Sequence, residues 1–201
     1  MRDSLIIVGF FVLGIVFGMN DILPDSLVGN SSVSFGALCC LMFFVGVSVG
    51  SDSKIFASIR SVNPRLMLLP LMTIVGTLAG TAAASFLFPR HGFTDRLAVG
   101  SGFAYYSLSS IFITEYRGAE LGTVALLANI SRELIALLCA PLLVKFFGKL
   151  APISAGGATT MDTTLPIILR YSGQQFVMLS VFHGFLVDFS VPFLVTFFCS
   201  I

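Results

Sequence analysis

Apolar residues run along this chain in long blocks, not in the alternation of a strand or the one-sided stripe of a soluble helix. Three blocks come first, near 4–19, 32–50 and 66–88. A helix needs roughly 20 apolar residues to cross a hydrocarbon core, so each block predicts a membrane span. Each carries a Gly-x-x-x-Gly (Gly14/Gly18, Gly46/Gly50, Gly76/Gly80), a spacing at which small residues let helix backbones approach closely. Arg2 ahead of Leu5 to Phe17 has the outline of a signal peptide. No A-x-A-like cleavage site follows it, so the segment reads as a retained first span. Asn20, Asp21, Pro24 and Asp25 end that span. The polar stretch from Ser51 to Arg65 follows the second and holds Lys54, Arg60 and Arg65. As the most basic loop it is expected to face the cytoplasm.

Beyond residue 90 the pattern changes. Residues 97–114 are apolar but interrupted by Gly100-Ser101-Gly102 and by Ser107, Ser109 and Ser110. A long run follows from Leu121 to Val144 with Asn129, Arg132 and Glu133 at its middle. Residues 153–169 open with small residues, Ser154 to Thr160, and continue through Asp162 and Pro166; the last span, Phe176 to Phe198, contains His183 and Asp188. At an offset of 55 residues Gly102 matches Gly157, Ile113 matches Ile168, Tyr116 matches Tyr171 and Gly118 matches Gly173, while Glu133 falls against Asp188. The four segments therefore read as one unit used twice, a broken or re-entrant helix and then a full span. Interrupted segments at matching positions of two halves point to the binding site of a transporter. The expectation is an all-α membrane protein, a helical bundle with two interrupted segments. It forms a single transporter domain over 1–201: a three-span region, 1–89, and two repeated units, 94–147 and 153–201.

Charge chooses between crossing and re-entry. With both interrupted segments re-entrant, Arg2, Lys54, Arg60, Arg65, Lys145, Lys149 and Arg170 lie in the cytoplasm and Arg90, Arg96 and Arg117 outside. Full crossings would move Lys145 and Lys149 out and Arg117 in, a weaker positive-inside bias. The expected topology has the N-terminus inside and the C-terminus outside.

Composition removes the soluble alternative. The chain is 56% hydrophobic and 10% charged, with a mean hydropathy of +1.00, against roughly 25% charged residues in soluble domains. A net charge of +1 argues against a nucleic-acid partner. Cys39, Cys40, Cys139 and Cys199 sit in apolar runs without C-x-x-C spacing and read as packing residues, not as a disulfide framework or a zinc site. There is no G-x-S-x-G, no H-E-x-x-H and no phosphate-binding glycine loop. No enzyme, cofactor or direct use of ATP is expected, and coupling would come from an ion gradient.

The candidate chemistry lies in the embedded polar residues. Asn129, Arg132 and Glu133 stand at i, i+3 and i+4 and share one helix face. A charge near the bilayer centre costs at least roughly 2.5–3.5 kcal/mol, so such residues face the bundle interior or a wet cavity. Glu133 reads first as a binding residue. Arg132 reads either as functional or as a clamp paired with an acid on a neighbouring helix. Asp162, after a run of small residues and before Pro166, reads as lining a cavity or capping a short helix, with Thr160 beside it. Asp188, between Val187 and Phe189, suits a proton-carrying role because burial penalises a charged carboxylate. His183 is a titrating group or a satisfied helix histidine. Ser107 and Ser109 offer hydroxyls at the first break, and Tyr105 and Tyr106 are gate or packing aromatics. The phenylalanines read as lipid-facing or packing residues.

The stretch Gly100-Ser101-Gly102-Phe103-Ala104-Tyr105-Tyr106-Ser107-Leu108-Ser109-Ser110, followed by Thr114-Glu115, resembles the G-F-x-x-Y-S-L-S-G…T-E pattern of the lysine exporter (LysO) family. So do Ser131-Arg132-Glu133-Leu134-Ile135-Ala136, the segment from Gly157 to Pro166, and His183-Gly184-Phe185. The resemblance implies export of L-lysine, and of its analogue thialysine, across the bacterial inner membrane, coupled to protons or another ion. A cationic substrate suits Glu133 and Asp162 as acceptors for ammonium groups. Ser110 replaces the family's glycine, and longer members carry further N-terminal hydrophobic segments. The missing part is expected from a small membrane subunit, from a homodimer, or not at all, with a split transporter the favoured reading. The other classes left open are a channel-like pore and a non-transporting structural or regulatory subunit.

Overall fold

The computed structural model describes residues 64–87 and 91–201, with scattered positions between 9 and 47. The spans expected near 4–19 and 32–50, the Gly46/Gly50 pair, Gly18, Lys54, Arg60 and Arg90 lie outside the described residues. Among the described residues every regular element is a helix. A 3-10 turn, Pro64–Leu68, leads into α1 (Leu69–Ala84), which ends in a second 3-10 turn at Ser85–Leu87. Then come α2 (Phe93–Gly100), α3 (Tyr106–Arg117) and α4 (Ala119–Phe147). The short α5 (Ala151–Gly156) runs into a 3-10 turn at Gly157–Met161. It is followed by α6 (Leu165–Ser172), a 3-10 turn at Gln174–Phe176 and α7 (Val177–Ser200). Arg65–Leu87, Ala119–Phe147 and Gln174–Ser200 are long and apolar enough to cross a bilayer.

Helix ends follow local chemistry. α2 starts where Asp95 accepts from the Gly92 amide at 3.1 Å, the half of a capping box that a glycine N-cap allows. α3 stops at Gly118 (φ +93°) and α6 at Gly173 (φ +113°), where the left-handed backbone lets the chain turn sharply into a long helix. Pro192 lies inside α7 and cannot donate to the Asp188 carbonyl one turn earlier.

The first broken segment brings its two ends together. The Arg117 Nε, at the end of α3, lies 3.4 Å from Asp95 Oδ1, at the start of α2. A continuous helix over the same residues would separate them by about 33 Å. Around this fold sits one core of Ala98, Phe103, Ile113, Leu121, Ala125 and the α7 positions Val187, Val191, Val195 and Cys199. A second core joins Ile153, Ile167 and Ile168 to Ala140, near the end of α4, and Leu179, near the start of α7, with Leu150 and Tyr171 packed against it. The first half of α4 thus shares a core with the second half of α7, and the last half of α4 with the first half of α7.

α7 shows both solvents it meets. Val187, Val191, Val195 and Cys199 form an i, i+4 stripe that is buried, while Phe185, Phe189, Phe193 and Phe197, at the same spacing, are more than half exposed. An exposed phenylalanine stripe of that length is costly in water and neutral in lipid. Among the described residues Cys199 is buried, Cys139 half-buried and Cys40 exposed, all three as free thiols. Among the described residues, close small-residue packing is seen at Gly122 and Gly184. A side chain at Gly76 or Gly80 would meet no described neighbour within 4 Å. One at Gly122 would strike Thr114, and one at Gly184 would strike the Met161 backbone.

Candidate functional site

The three polar residues of α4 do three different jobs. Asn129 is buried and serves the first break, residues 101–105. Its Oδ1 accepts from the Ala104 amide at 2.8 Å, and its Nδ2 donates to the carbonyls of Ala125 (2.9 Å) and Val99 (3.3 Å), with Ser109 Oγ at 3.5 Å. Phe103 (φ +44°) and Ala104 (φ +72°) adopt left-handed backbone without being glycine. Such geometry costs of order 1–3 kcal/mol per residue and persists only where its surroundings enforce it; Asn129 is one of those enforcers. Replacing it by Ala strands a buried amide, at a cost of about 1–3 kcal/mol. Thermal unfolding of the purified protein in detergent should report this loss for Asn129→Ala.

Arg132 holds the second break. Its Nε and Nη2 donate to the carbonyls of Ala155 (2.9 Å) and Ser154 (3.0 Å), its Nη1 to Thr77 Oγ1 of α1 (3.2 Å). The guanidinium also stacks 5.6 Å from the Phe103 ring centre. A clamp role fits, with a correction to its partner. Carbonyls that end α5, left unpaired by the helix itself, take the place of the carboxylate expected from sequence. The two breaks meet at this level, where the Ala158 amide donates to the Phe103 carbonyl at 2.9 Å. Gly157 makes the crossing possible. It sits at φ +61°, and a Cβ there would lie 2.2 Å from the Phe103 oxygen.

Glu133 points to the far end of the second break. Thr163 Oγ1 donates to Glu133 Oε1 at 2.5 Å and lies 3.3 Å from Asp162 Oδ1, which also accepts from the Thr163 amide. Asp162 thus holds its neighbouring amide rather than capping α6. Glu133 and Asp162 interact electrostatically, as do Asp162 and Asp188. Tyr105 feels Asp188 and Asp162, and Tyr106 feels Glu133 and Asp162. Acids from α4, the second break and α7 thus lie within electrostatic range of one another or of tyrosines of the first break. This concentration of negative charge suits a cation held by several oxygens. Among the described residues no group of three His, Cys, Asp or Glu side chains could hold a metal ion.

The remaining candidates sit elsewhere. His183 is fully buried, with Nδ1 3.2 Å from Thr160 Oγ1 and Nε2 2.9 Å from Thr73 Oγ1. Thr160 in turn donates to the carbonyls of Gly157 or Ser180, both at 2.9 Å. This is a satisfied histidine that ties α7 to α1 and to the second break. Ser109 is buried and donates to the Tyr105 carbonyl at 2.8 Å; Ser107 is exposed, with its carbonyl facing Ser110 Oγ. Thr163, Thr73 and Thr77 escaped the reading of the sequence. Thr163 was visible as the neighbour of Asp162 in a Thr-Thr-Met-Asp-Thr-Thr run, whereas the α1 threonines carry no local signal.

Comparison with known proteins places this geometry in a family. The family model described as Lysine exporter LysO matches residues 8–199. The chain is 32% identical over 198 residues to "Lysine exporter LysO" of Escherichia coli (strain K12), covering 98% of this chain and 64% of that protein. It is 31% identical over 189 residues to the "Putative lysine exporter" of Haemophilus influenzae, covering 94% of each. The chain thus spans about two thirds of the first relative and nearly all of the second. No solved structure matches it. Three membrane-length helices and these relatives identify a multi-pass protein of the bacterial inner membrane. The chain belongs to the lysine exporter LysO family.

Proposed function

We propose that this chain is a secondary transporter that exports L-lysine, and analogues such as thialysine, across the inner membrane, driven by a proton or ion gradient. Glu133 and Asp162 receive the ammonium groups of the substrate, and Asp188 carries the coupling proton. The observation that carries this reading is the pair of carboxylates gathered on one threonine hydroxyl at the far end of the second break. Polar groups and interrupted backbone at membrane depth are tolerated where they line a cavity, and in transporters they form the substrate site. The names of the two relatives support lysine as the substrate.

In this proposal the segments 93–117 and 151–172 enter the membrane and return to the side they came from, and units 94–147 and 153–201 are inverted repeats. The matched glycines Gly118 and Gly173 and the contact between Asp95 and Arg117 support it.

The test is efflux. Bacteria lacking their own lysine exporter, preloaded with labelled L-lysine, should release it faster when they express this chain, and a protonophore should remove the gain. Release no faster than in cells without the chain would refute the proposal.

A further inference from the structure

We infer that the Thr163 hydroxyl is a proton bridge between Glu133 and Asp162, the group through which a proton on one carboxylate reaches the other when substrate leaves. The inference rests on the reading of those two acids as the substrate site. Its geometry is specific: one hydroxyl lies 2.5 Å from Glu133 Oε1 and 3.3 Å from Asp162 Oδ1. A hydroxyl has one proton to donate and lone pairs to accept with, so it can satisfy one carboxylate at a time. The second acid stays unserved by this hydroxyl until a proton or an ammonium group reaches it.

The transfer balances without any other reactant. Protonated Glu133 gives its proton to Thr163 Oγ1 as Thr163 gives its own hydroxyl proton to the Asp162 carboxylate. One O–H bond breaks and one forms at each step, and the threonine ends unchanged. The charge moves from one acid to the other, which is what an exchange of proton for ammonium requires.

The other charged and titratable groups around the pair are accounted for. Asp188 of α7 and Tyr105 and Tyr106 of the first break act on it through space. Arg132, one residue before Glu133, is spent on Thr77 and the Ser154 and Ala155 carbonyls. His183 is held between Thr73 and Thr160. Thr163 alone has an oxygen recorded within hydrogen-bonding distance of both acids among the described residues. Its backbone amide, which fixes Asp162, survives any side-chain change, so Thr163→Val removes the bridge while keeping shape and the Asp162 anchor.

The experiment separates exchange from coupling. Purified protein is reconstituted in liposomes and assayed in two ways: counterflow of labelled L-lysine against unlabelled L-lysine without a gradient, and L-lysine movement driven by an imposed pH gradient. Exchange needs substrate binding and reorientation, whereas gradient-driven movement also needs the proton to pass. Thr163→Val, which also releases the Glu133 side chain, should weaken counterflow and lower pH-driven transport by about 10²-fold beyond that loss, the low end of what a positioned proton-transfer group contributes. Thr163→Ser should keep both. Retention of both activities in Thr163→Val would overturn the inference and leave the functional reading standing. Equal losses of the two activities in Thr163→Val would overturn it too, assigning the hydroxyl to substrate binding. Absence of counterflow in the unmodified protein would overturn the functional reading itself, and the inference with it.

Discussion

Glu133→Gln is expected to abolish lysine export while the protein still inserts and folds. The glutamine keeps an oxygen at the position that accepts from Thr163 Oγ1, so the contact that orients the side chain to the second break survives. What disappears is the negative charge. A hydrogen bond to a charged group contributes about 1.5–3 kcal/mol, and that is about one to two decades in substrate affinity. The effect on net export should be larger, because the same carboxylate also exchanges a proton in the proposed cycle. Cells expressing Glu133→Gln should be as sensitive to thialysine as cells without the chain, with equal amounts of protein in the membrane. Resistance at the unmodified level would remove Glu133 from the site.

The second large effect falls on stability. Gly157→Ala puts a Cβ 2.2 Å from the Phe103 carbonyl oxygen at a backbone angle, φ +61°, that L residues avoid. The angle alone costs of order 1–3 kcal/mol. Relieving the clash means parting the two breaks, with loss of the Ala158–Phe103 hydrogen bond, a further roughly 0.5–1.5 kcal/mol. Gly148→Ala is the matched control: φ is +88° there, yet nothing lies within 4 Å of the added atom. Thermal unfolding in detergent should show Gly157→Ala destabilised well beyond Gly148→Ala. Equal losses would contradict the crossing of the two breaks.

Much of this arrangement was legible in the sequence, for reasons that are local. The long apolar run from Leu121 to Val144 became α4, and the run from Phe176 to Phe198 became α7, because twenty apolar residues in a row have few other stable solutions in lipid. The breaks were visible as Gly100-Ser101-Gly102 and as the small-residue run before Asp162. The shared face of Asn129, Arg132 and Glu133 followed from helical spacing.

What each residue holds was not legible, since spacing along one helix says nothing about its neighbours. The position of Arg132 allows a functional role or an acid as partner, and the side chain instead binds carbonyls 22 and 23 residues away, together with Thr77 from α1. His183 could be read as titrating or satisfied until its two partners, Thr160 and Thr73, were in place; the second is 110 residues distant. Thr163 carries no charge and breaks no pattern, so only the approach of α4 to the second break marks it out. Ser107 and Ser109 look alike in sequence and part company because two helical positions separate an exposed face from a buried one.

The central claim is that Glu133 and Asp162 receive the ammonium groups of the substrate. Binding of L-lysine to the purified protein, set against binding of L-norleucine, tests it most directly, because norleucine keeps a comparable chain length and lacks the side-chain ammonium. L-Lysine should bind the unmodified protein, L-norleucine should not, and both Glu133→Gln and Asp162→Asn should remove lysine binding. Equal binding of the two amino acids, or lysine binding that survives both substitutions, would contradict the claim.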